Sequence, residues 1–431
     1  VRPITNCKRA FFVLSFTLIF AQFLQAQENS PYSRFGLGDI LPSQNILNRS
    51  MGGLSIPYND LQSVNFVNPA SYAYLRVTTL DIGVEYNSRT IRTNEPPQKF
   101  NSKYMIPTYI NLGLPLKKKG FWGMNIGLRP ISRVNYNLAI RTRIIGIDSA
   151  LYNFVGNGGS YQAFLGTGFA KKNLSVGINA GYMFGNKQYS TRVILINDTI
   201  PYKKSNSADT TSFGGLFLNA GLLYKIELKR NTYLRLGATG SIKSTLNASR
   251  DLSRSTIEFD ANSDLLVIDS VFRATDQKGK IEYPSSFGFG FMFEKEDKWM
   301  FGAEINTSLW SNYTYFGESE SLKNNWTVRL GGQIIPNINS KSYWSRVVYR
   351  AGVSYGPDYI DLEKKFNQYL FSFGAGFPIR RTFYSNQYTT INTAFEIGGR
   401  GNKQNKLYEN LFKISVGFNL SDIWFNPRKY E

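Results

Sequence analysis

The chain has 431 residues, 50 Lys and Arg against 30 Asp and Glu, a net charge of +20, one cysteine and no histidine. Without histidine there is no Ser-His or Cys-His catalysis and no imidazole-held metal, and a lone cysteine builds neither an internal disulfide nor a thiolate cage. These absences disfavour an enzyme; paired-carboxylate chemistry and an oxygen-ligand calcium site stay formally open, and no cofactor motif is found.

The first element is a three-part export signal. Arg2, Lys8 and Arg9 precede an apolar run from Ala10 to Leu24, and Leu24-Gln25-Ala26 closes it with small-residue character. The run is too short for a bilayer span, which disfavours the alternative of a retained anchor helix. Cleavage after Ala26 predicts a mature chain from Gln27, without Cys7 and with 47 − 30 = +17 charges. So basic a chain suggests a nucleic-acid partner, but export argues against one.

Residues 27–76 do not read as strands. Pro31, Pro42, Pro57 and Pro69 and the glycines at 36, 38, 52 and 53 break every period. Phe35, Leu37, Ile40, Met51, Leu54 and Ile56 make the stretch too apolar for a free tail. It is expected to fill the lower half of a lumen as a plug, with Asn68-Pro69-Ala70 near the wall where the first strand begins.

From Val77 the chain alternates in segments of the roughly 9–11 residues that a tilted membrane strand needs. The first carries Leu80, Ile82, Val84 and Tyr86 on one face and Asp81, Gly83, Glu85 and Asn87 on the other. The second shows Ile110, Leu112, Leu114 and Leu116 on one face; the third sets Trp122, Met124, Ile126 and Leu128 against Gly123, Asn125, Gly127 and Arg129. Further segments follow at about 161–171, 174–186, 212–228, 232–246, 284–294, 299–310, 324–336, 347–356, 368–378, 388–399 and 407–420. The pattern predicts an all-β, antiparallel up-and-down transmembrane barrel of about fourteen strands over 77–420, with a tail at 421–431. A soluble sandwich also alternates but rarely needs so many long amphipathic strands.

Charges fall on the face opposite the apolar one: Asp81, Glu85, Arg129, Lys225, Arg235, Lys243, Glu304, Arg329, Arg350, Glu396 and Lys413. Arg or Lys facing lipid at midplane costs about 2–4 kcal/mol, so this face is assigned to the lumen. Counting from the turns pairs Glu304 with Arg329 and Glu396 with Lys413. Short connections at 117–120, 171–173, 229–231 and 295–298, and two somewhat longer ones at 337–346 and 379–387, alternate with long ones at 88–103, 133–160, 187–211, 247–283, 311–323, 357–367 and 400–406. This alternation places both mature termini in the periplasm, and the basic turns form a rim that reads either as a dock for an acidic periplasmic partner or as an anchor on lipid phosphates. Outer-membrane lipid and lipopolysaccharide would surround the wall.

The stretch from Ser50 to Leu75, with Met51-Gly52-Gly53, Asp60 and Asn68-Pro69-Ala70, resembles the plug and first-strand approach of the FadL-like outer-membrane barrels. Tyr283-Pro284-Ser285-Ser286, Trp310-Ser311-Asn312-Tyr313 and the final Asn419 to Phe425 extend the resemblance across the barrel, most closely to Bacteroidetes members. The resemblance implies fourteen strands, a lumen plug and passive uptake of a hydrophobic small molecule of fatty-acid or hydrocarbon type, released sideways through the wall. Pro107 and Pro130, with Gly127 nearby, are then the candidate lateral opening, since proline lacks the N–H of a ladder bond; equally, they mark where strands leave the membrane. Arg235, Lys243, Arg329 and Arg350 are candidate contacts for a ligand carboxylate, against the alternative of structural pairing. One branch of the family resembles the barrel subunit of type 9 secretion. That keeps open a non-transporting accessory barrel serving a secretion or outer-membrane assembly complex through outer-membrane or periplasmic protein partners.

Overall fold

The computed structural model describes residues 30–422 except 95, 118–120, 146–147, 198, 261–264, 362–365 and 381–387. The expected signal peptide at 1–26 and the tail beyond Asp422 lie outside the described residues. No described helix is long and apolar enough to cross a membrane. Fourteen antiparallel strands close into a barrel: β1 (Thr78–Asn94), β2 (Pro97–Pro115), β3 (Trp122–Ile144), β4 (Asp148–Lys171), β5 (Leu174–Ile196), β6 (Lys204–Lys229) and β7 (Thr232–Ser241 continued by Ser244–Phe259). They continue as β8 (Leu265–Tyr283 and Ser286–Lys295), β9 (Trp299–Ser308), β10 (Asn325–Ile334), β11 (Val348–Pro357), β12 (Asn367–Arg380), β13 (Tyr388–Arg400) and β14 (Leu407–Asp422). β14 pairs with β1 from Leu407↔Thr93 to Asp422↔Thr78, which shuts the cylinder.

Alternation explains the wall. Along β1 and β14, Asp81, Glu85, Asn87, Lys413 and Asn419 point inward and are buried, while Phe412, Phe418 and Leu420 stay exposed on the outside. Closing a sheet satisfies the backbone without an edge, the condition for a spanning structure in lipid. At one end the strands turn tightly: Lys172, Asn231 and Asp297 take left-handed φ values of 55°, 60° and 58°. At the other end the barrel flares. The connections expected as loops at 88–103, 133–160, 187–211 and 247–283 are instead continuous hairpins, in which β3–β4 pairing runs to Ile144↔Asp148 and β7–β8 pairing to Phe259↔Leu265. The segment 401–406 does leave the ladder, whereas 311–323 folds back as a small hairpin in which Thr314 and Tyr315 pair with Glu282 and Ile281 of β8.

β7 and β8 both break, at Ile242–Lys243 and Pro284–Ser285, and the inside parity flips there. Below the break Gly237 lies against the Ile56 backbone; above it Leu246 and Ile281 are the buried positions. Lys243 is therefore not a lumen residue. It is exposed and pairs at 2.8 Å with Glu282, the outward neighbour of buried Ile281.

Residues 30–76 lie against the inner face of the wall. A short helix, α1 (Ile46–Arg49), is capped by the Asn45 side chain, which accepts from Asn48 N at 2.9 Å. Gly52 and Gly53 follow with φ of 70° and 84°, the left-handed region that favours glycine. Wall glycines admit the segment's backbone: a Cβ at Gly331 or Gly352 would collide with Met51, and one at Gly177 with Pro69. Asn68-Pro69-Ala70 thus sits against β5 and its neighbours, not beside the start of β1. The Asn68 amide donates to Ile56 O at 2.7 Å and to Leu222 O on β6 at 3.2 Å, and the short 3-10 helix Pro69–Tyr74 carries the chain across to β1.

Candidate functional site

Two buried ionic clusters tie residues 30–76 to the wall. Arg49 is 1% exposed; it pairs with Glu85 at 2.6 Å and with Glu396, whose register partner is Lys413. The expected Glu396–Lys413 opposition holds in register, but the carboxylate is taken by Arg49. Burial opposes the Arg49 charge; Glu396 and Glu85 outweigh it and hold its pKa above the usual value. In the second cluster Asp39 meets Arg89 at 2.7 Å and Arg400 at 2.8 Å, and Arg400 also binds Asp358 at 2.6 Å. Burial alone would raise the Asp39 carboxyl, but Arg89 and Arg400 keep it well below the usual carboxylate range. Breaking one member of such a buried set strands its partners and costs about 3–5 kcal/mol.

Between the segment and the flared end lies a cavity of about 360 Å³. Its lining runs from Arg49, Gly53 and Phe66 past Glu304 and Arg329 to Trp310 and Tyr359, and on one side to Tyr104, Arg129 and Ile131. The last three border a seam in the wall. The β2–β3 ladder is intact from Pro115↔Gly123 to Ile110↔Leu128 and stops there. Pro107 and Pro130 fall just past the stop, each beside an irregularity in its other ladder, at Gly83/Val84 and at Pro130/Ser132. Gly127 does not belong to the break: it pairs with Asn111, and its missing side chain leaves room for Phe164. The free edge of β3 is covered from inside by residues 30–41. Asp39↔Arg133 and Ile40↔Ser132 pair antiparallel, Leu41 N donates to Ile131 O at 2.9 Å and Ser30 N to Asn135 O at 2.8 Å. Across the seam the Arg133 guanidinium stacks on the Tyr104 ring at 5.4 Å.

Three of the four basic residues singled out from sequence are ion-paired. Arg235 pairs with Glu294, Arg329 with Glu304 at 2.9 Å as register predicted, and Lys243 with Glu282 outside the lumen. Arg350 is bound by the amide oxygens of Gln333 at 3.0 Å and Asn392 at 2.9 Å. Sequence reasoning put Arg129 on the lumen face but missed its role at the seam. Its guanidinium donates to Gln162 Oε1 at 3.0 Å and Ser43 O at 3.0 Å and lies 5.2 Å from the Phe66 ring. Among the described residues no carboxylate comes within ion-pair reach of it. Nor does any described group of three acidic or cysteine side chains form a metal cluster.

A family model described as BamG matches residues 7–431. No curated protein matches the sequence. Among solved structures, the Pseudomonas putida toluene transporter TodX superposes with a TM-score of 0.58 at 15% identity, covering 90% of this chain and 100% of its own. A Pseudomonas aeruginosa FadL homologue gives 0.56 at 14%, covering 89% and 98%. The CymD monoaromatic hydrocarbon channel gives 0.55 at 13%, covering 90% and 99%. At such identities the likeness establishes a shared fold.

Proposed function

This chain belongs to the BamG family, and on that premise we propose that it is an outer-membrane channel for passive uptake of small hydrophobic molecules, which leave sideways through the β2–β3 seam. The observation that carries the reading is the seam itself: a wall ladder that stops at Ile110↔Leu128 beside the lumen cavity. The fold shared with hydrocarbon and toluene channels supports it. In this reading the tight turns face the periplasm, as do both mature termini, and residues 27–76 act as the plug, with Met51-Gly52-Gly53 and Asn68-Pro69-Ala70 wedged on wall glycines. A ligand enters from the flared end, rests in the cavity, and passes to the bilayer when residues 39–41 part from β3. A fatty carboxylate would meet Arg129, whose charge among the described residues is met by neutral acceptors. Arg235 and Arg329 keep their charges inside ion pairs, which suits them to the wall rather than to a ligand.

The test is to replace Pro107 and Pro130 together by valine, which restores two ladder donors. Uptake of a labelled hydrophobic compound by intact cells is expected to slow while the barrel still resists heat unfolding on gels. Unchanged uptake would remove the side route.

A second reading, an accessory barrel that binds protein partners, is favoured by one feature. Above its break, β8 pairs with β7 alone over 265–279, and Leu266, Val267, Ile268, Val271 and Phe272 are all exposed there. An apolar free edge of this kind is a template for a partner's strand.

A further inference from the structure

Inside the lumen, the cavity wall on β6–β10 is neither apolar nor ionic. Register sets Asn219, Ser241, Ser286, Ser308 and Asn325 side by side on five successive strands, all on the inward face. The row beneath reads Gly221, Thr239, Gly288, Asn306 and Thr327. Its two glycines are covered from inside: a Cβ at Gly221 would collide with the Asn68 side chain, and one at Gly288 with Ile56. The polar members of both rows are half-buried and line the cavity. They make a belt of hydroxyls and amides that carries no charge.

On β2, β3 and β5 the inward amides are taken by the protein itself. Asn125 donates to Asn111 Oδ1 at 3.0 Å, while Asn179 donates to Phe66 O at 3.1 Å and accepts from the Tyr72 hydroxyl at 3.0 Å. In the belt, Asn219 donates to Val67 O at 3.2 Å, and the Ser241 and Ser286 hydroxyls meet at 2.8 Å. A hydroxyl in such a pair keeps acceptor capacity, since it has one donor and two lone pairs. Charge lies one row lower, where Glu304 and Arg329 hold each other at 2.9 Å. Just past the upper row stand Tyr283 on β8 and Trp310 after β9. The Trp310 ring meets Tyr283 edge-on at 5.5 Å and Tyr359 at 4.8 Å. The cavity of about 360 Å³ therefore has a hydrogen-bonding side and an aromatic end, and its size suits one small ligand.

Solvation decides what fits. Displacing water from hydroxyls and amides by a group that cannot hydrogen-bond loses affinity, so a bare hydrocarbon matches this wall poorly. A carboxylate or phosphate meets no cation within the belt. Neutral hydroxyls satisfy donors and acceptors alike, and the C–H face of a sugar ring suits an aromatic surface. We propose that the belt is a subsite for an uncharged, hydroxyl-rich group, a sugar ring or polyol, carried by a small amphiphile. The apolar part of that molecule lies toward Phe66 and Phe164 on the opposite side of the cavity. This deepens the uptake reading and rests on it for the ligand being a transported one.

The experiment is equilibrium dialysis of two labelled probes, phenyl β-glucoside and toluene, against the full barrel in lipid nanodiscs, with empty nanodiscs subtracted. The wild type is expected to bind the glucoside at least tenfold more tightly than toluene. Thr239→Val with Thr327→Val keeps side-chain shape and removes two hydroxyls. It should weaken glucoside binding by about tenfold or more and leave toluene binding equal or stronger. Asn306→Leu, a second variant, should act in the same direction, and heat-modifiability on gels checks that each is folded. Glucoside binding that follows the variants, without uptake of either probe by intact cells, would support the subsite and remove the uptake reading. Tighter binding of toluene by the wild type, or unchanged glucoside binding in both variants, would overturn the proposal.

Discussion

Replacing Arg49 by methionine keeps the volume of the side chain and removes the one cation that holds both Glu85 and Glu396. Lys413, opposite Glu396 in register, is then left to balance two buried carboxylates. Stranding charge at a site this buried costs about 3–5 kcal/mol, and each 1.4 kcal/mol is about tenfold. Release of α1 from the wall should therefore rise by roughly two to three and a half orders of magnitude. Hydrogen exchange read by mass spectrometry tests this in detergent. Peptides covering 44–58 should exchange faster by about that factor, while those from β13 and β14, held by continuous ladders, should change little. The double variant Arg49→Met, Glu85→Gln leaves Glu396 with Lys413 and should recover most of the protection. Exchange within about twofold of the wild type, against the several kcal/mol expected for a broken buried pair, would refute the reasoning. So would loss of protection in β13 and β14 together with α1.

Arg129→Met is expected to slow uptake of a fatty carboxylate by about tenfold, the value of one charge-assisted hydrogen bond, and to leave a neutral aromatic hydrocarbon unaffected; competition uptake assays on the two probes separate them. Val271→Asp with Phe272→Asp, on the free edge of β8, should remove copurifying protein partners without changing uptake, as measured by quantitative proteomics of affinity-purified protein.

The wall was legible in the sequence because a spanning strand must alternate, and Leu80 to Tyr86 or Phe412 to Leu420 alternate without a fault. The flared hairpins were not. Past the bilayer the outward face no longer meets lipid, so Thr245, Asn247, Lys278 and Lys280 stand where an apolar residue would have marked a strand. Lys243 was misplaced for a related reason: parity counts straight through a strand, and the break at Ile242–Lys243 resets it. The seam was legible at Pro107 and Pro130 because proline's missing donor is a property of the residue. Its border at Ile110↔Leu128 was not, since it depends on which backbone covers β3. Pairing between neighbours such as Glu304 and Arg329 follows from register alone. The partner of Glu396 did not, because Arg49 reaches it from the far end of the chain.

The most direct measurement concerns the movement of residues 39–41 off β3. Ile40 and Ser132 are directly opposed, and with Leu41 N bonded to Ile131 O they occupy a non-hydrogen-bonded position, where Cα atoms lie about 4.5 Å apart, within disulfide reach. Cysteines at these two positions can be joined without interference, because Cys7 is the only native cysteine and falls in the expected signal. If the account is right, the oxidised Ile40→Cys, Ser132→Cys protein takes up a hydrophobic probe far more slowly than the wild type, and a reductant restores the rate. Wild-type uptake through the locked seam would contradict it.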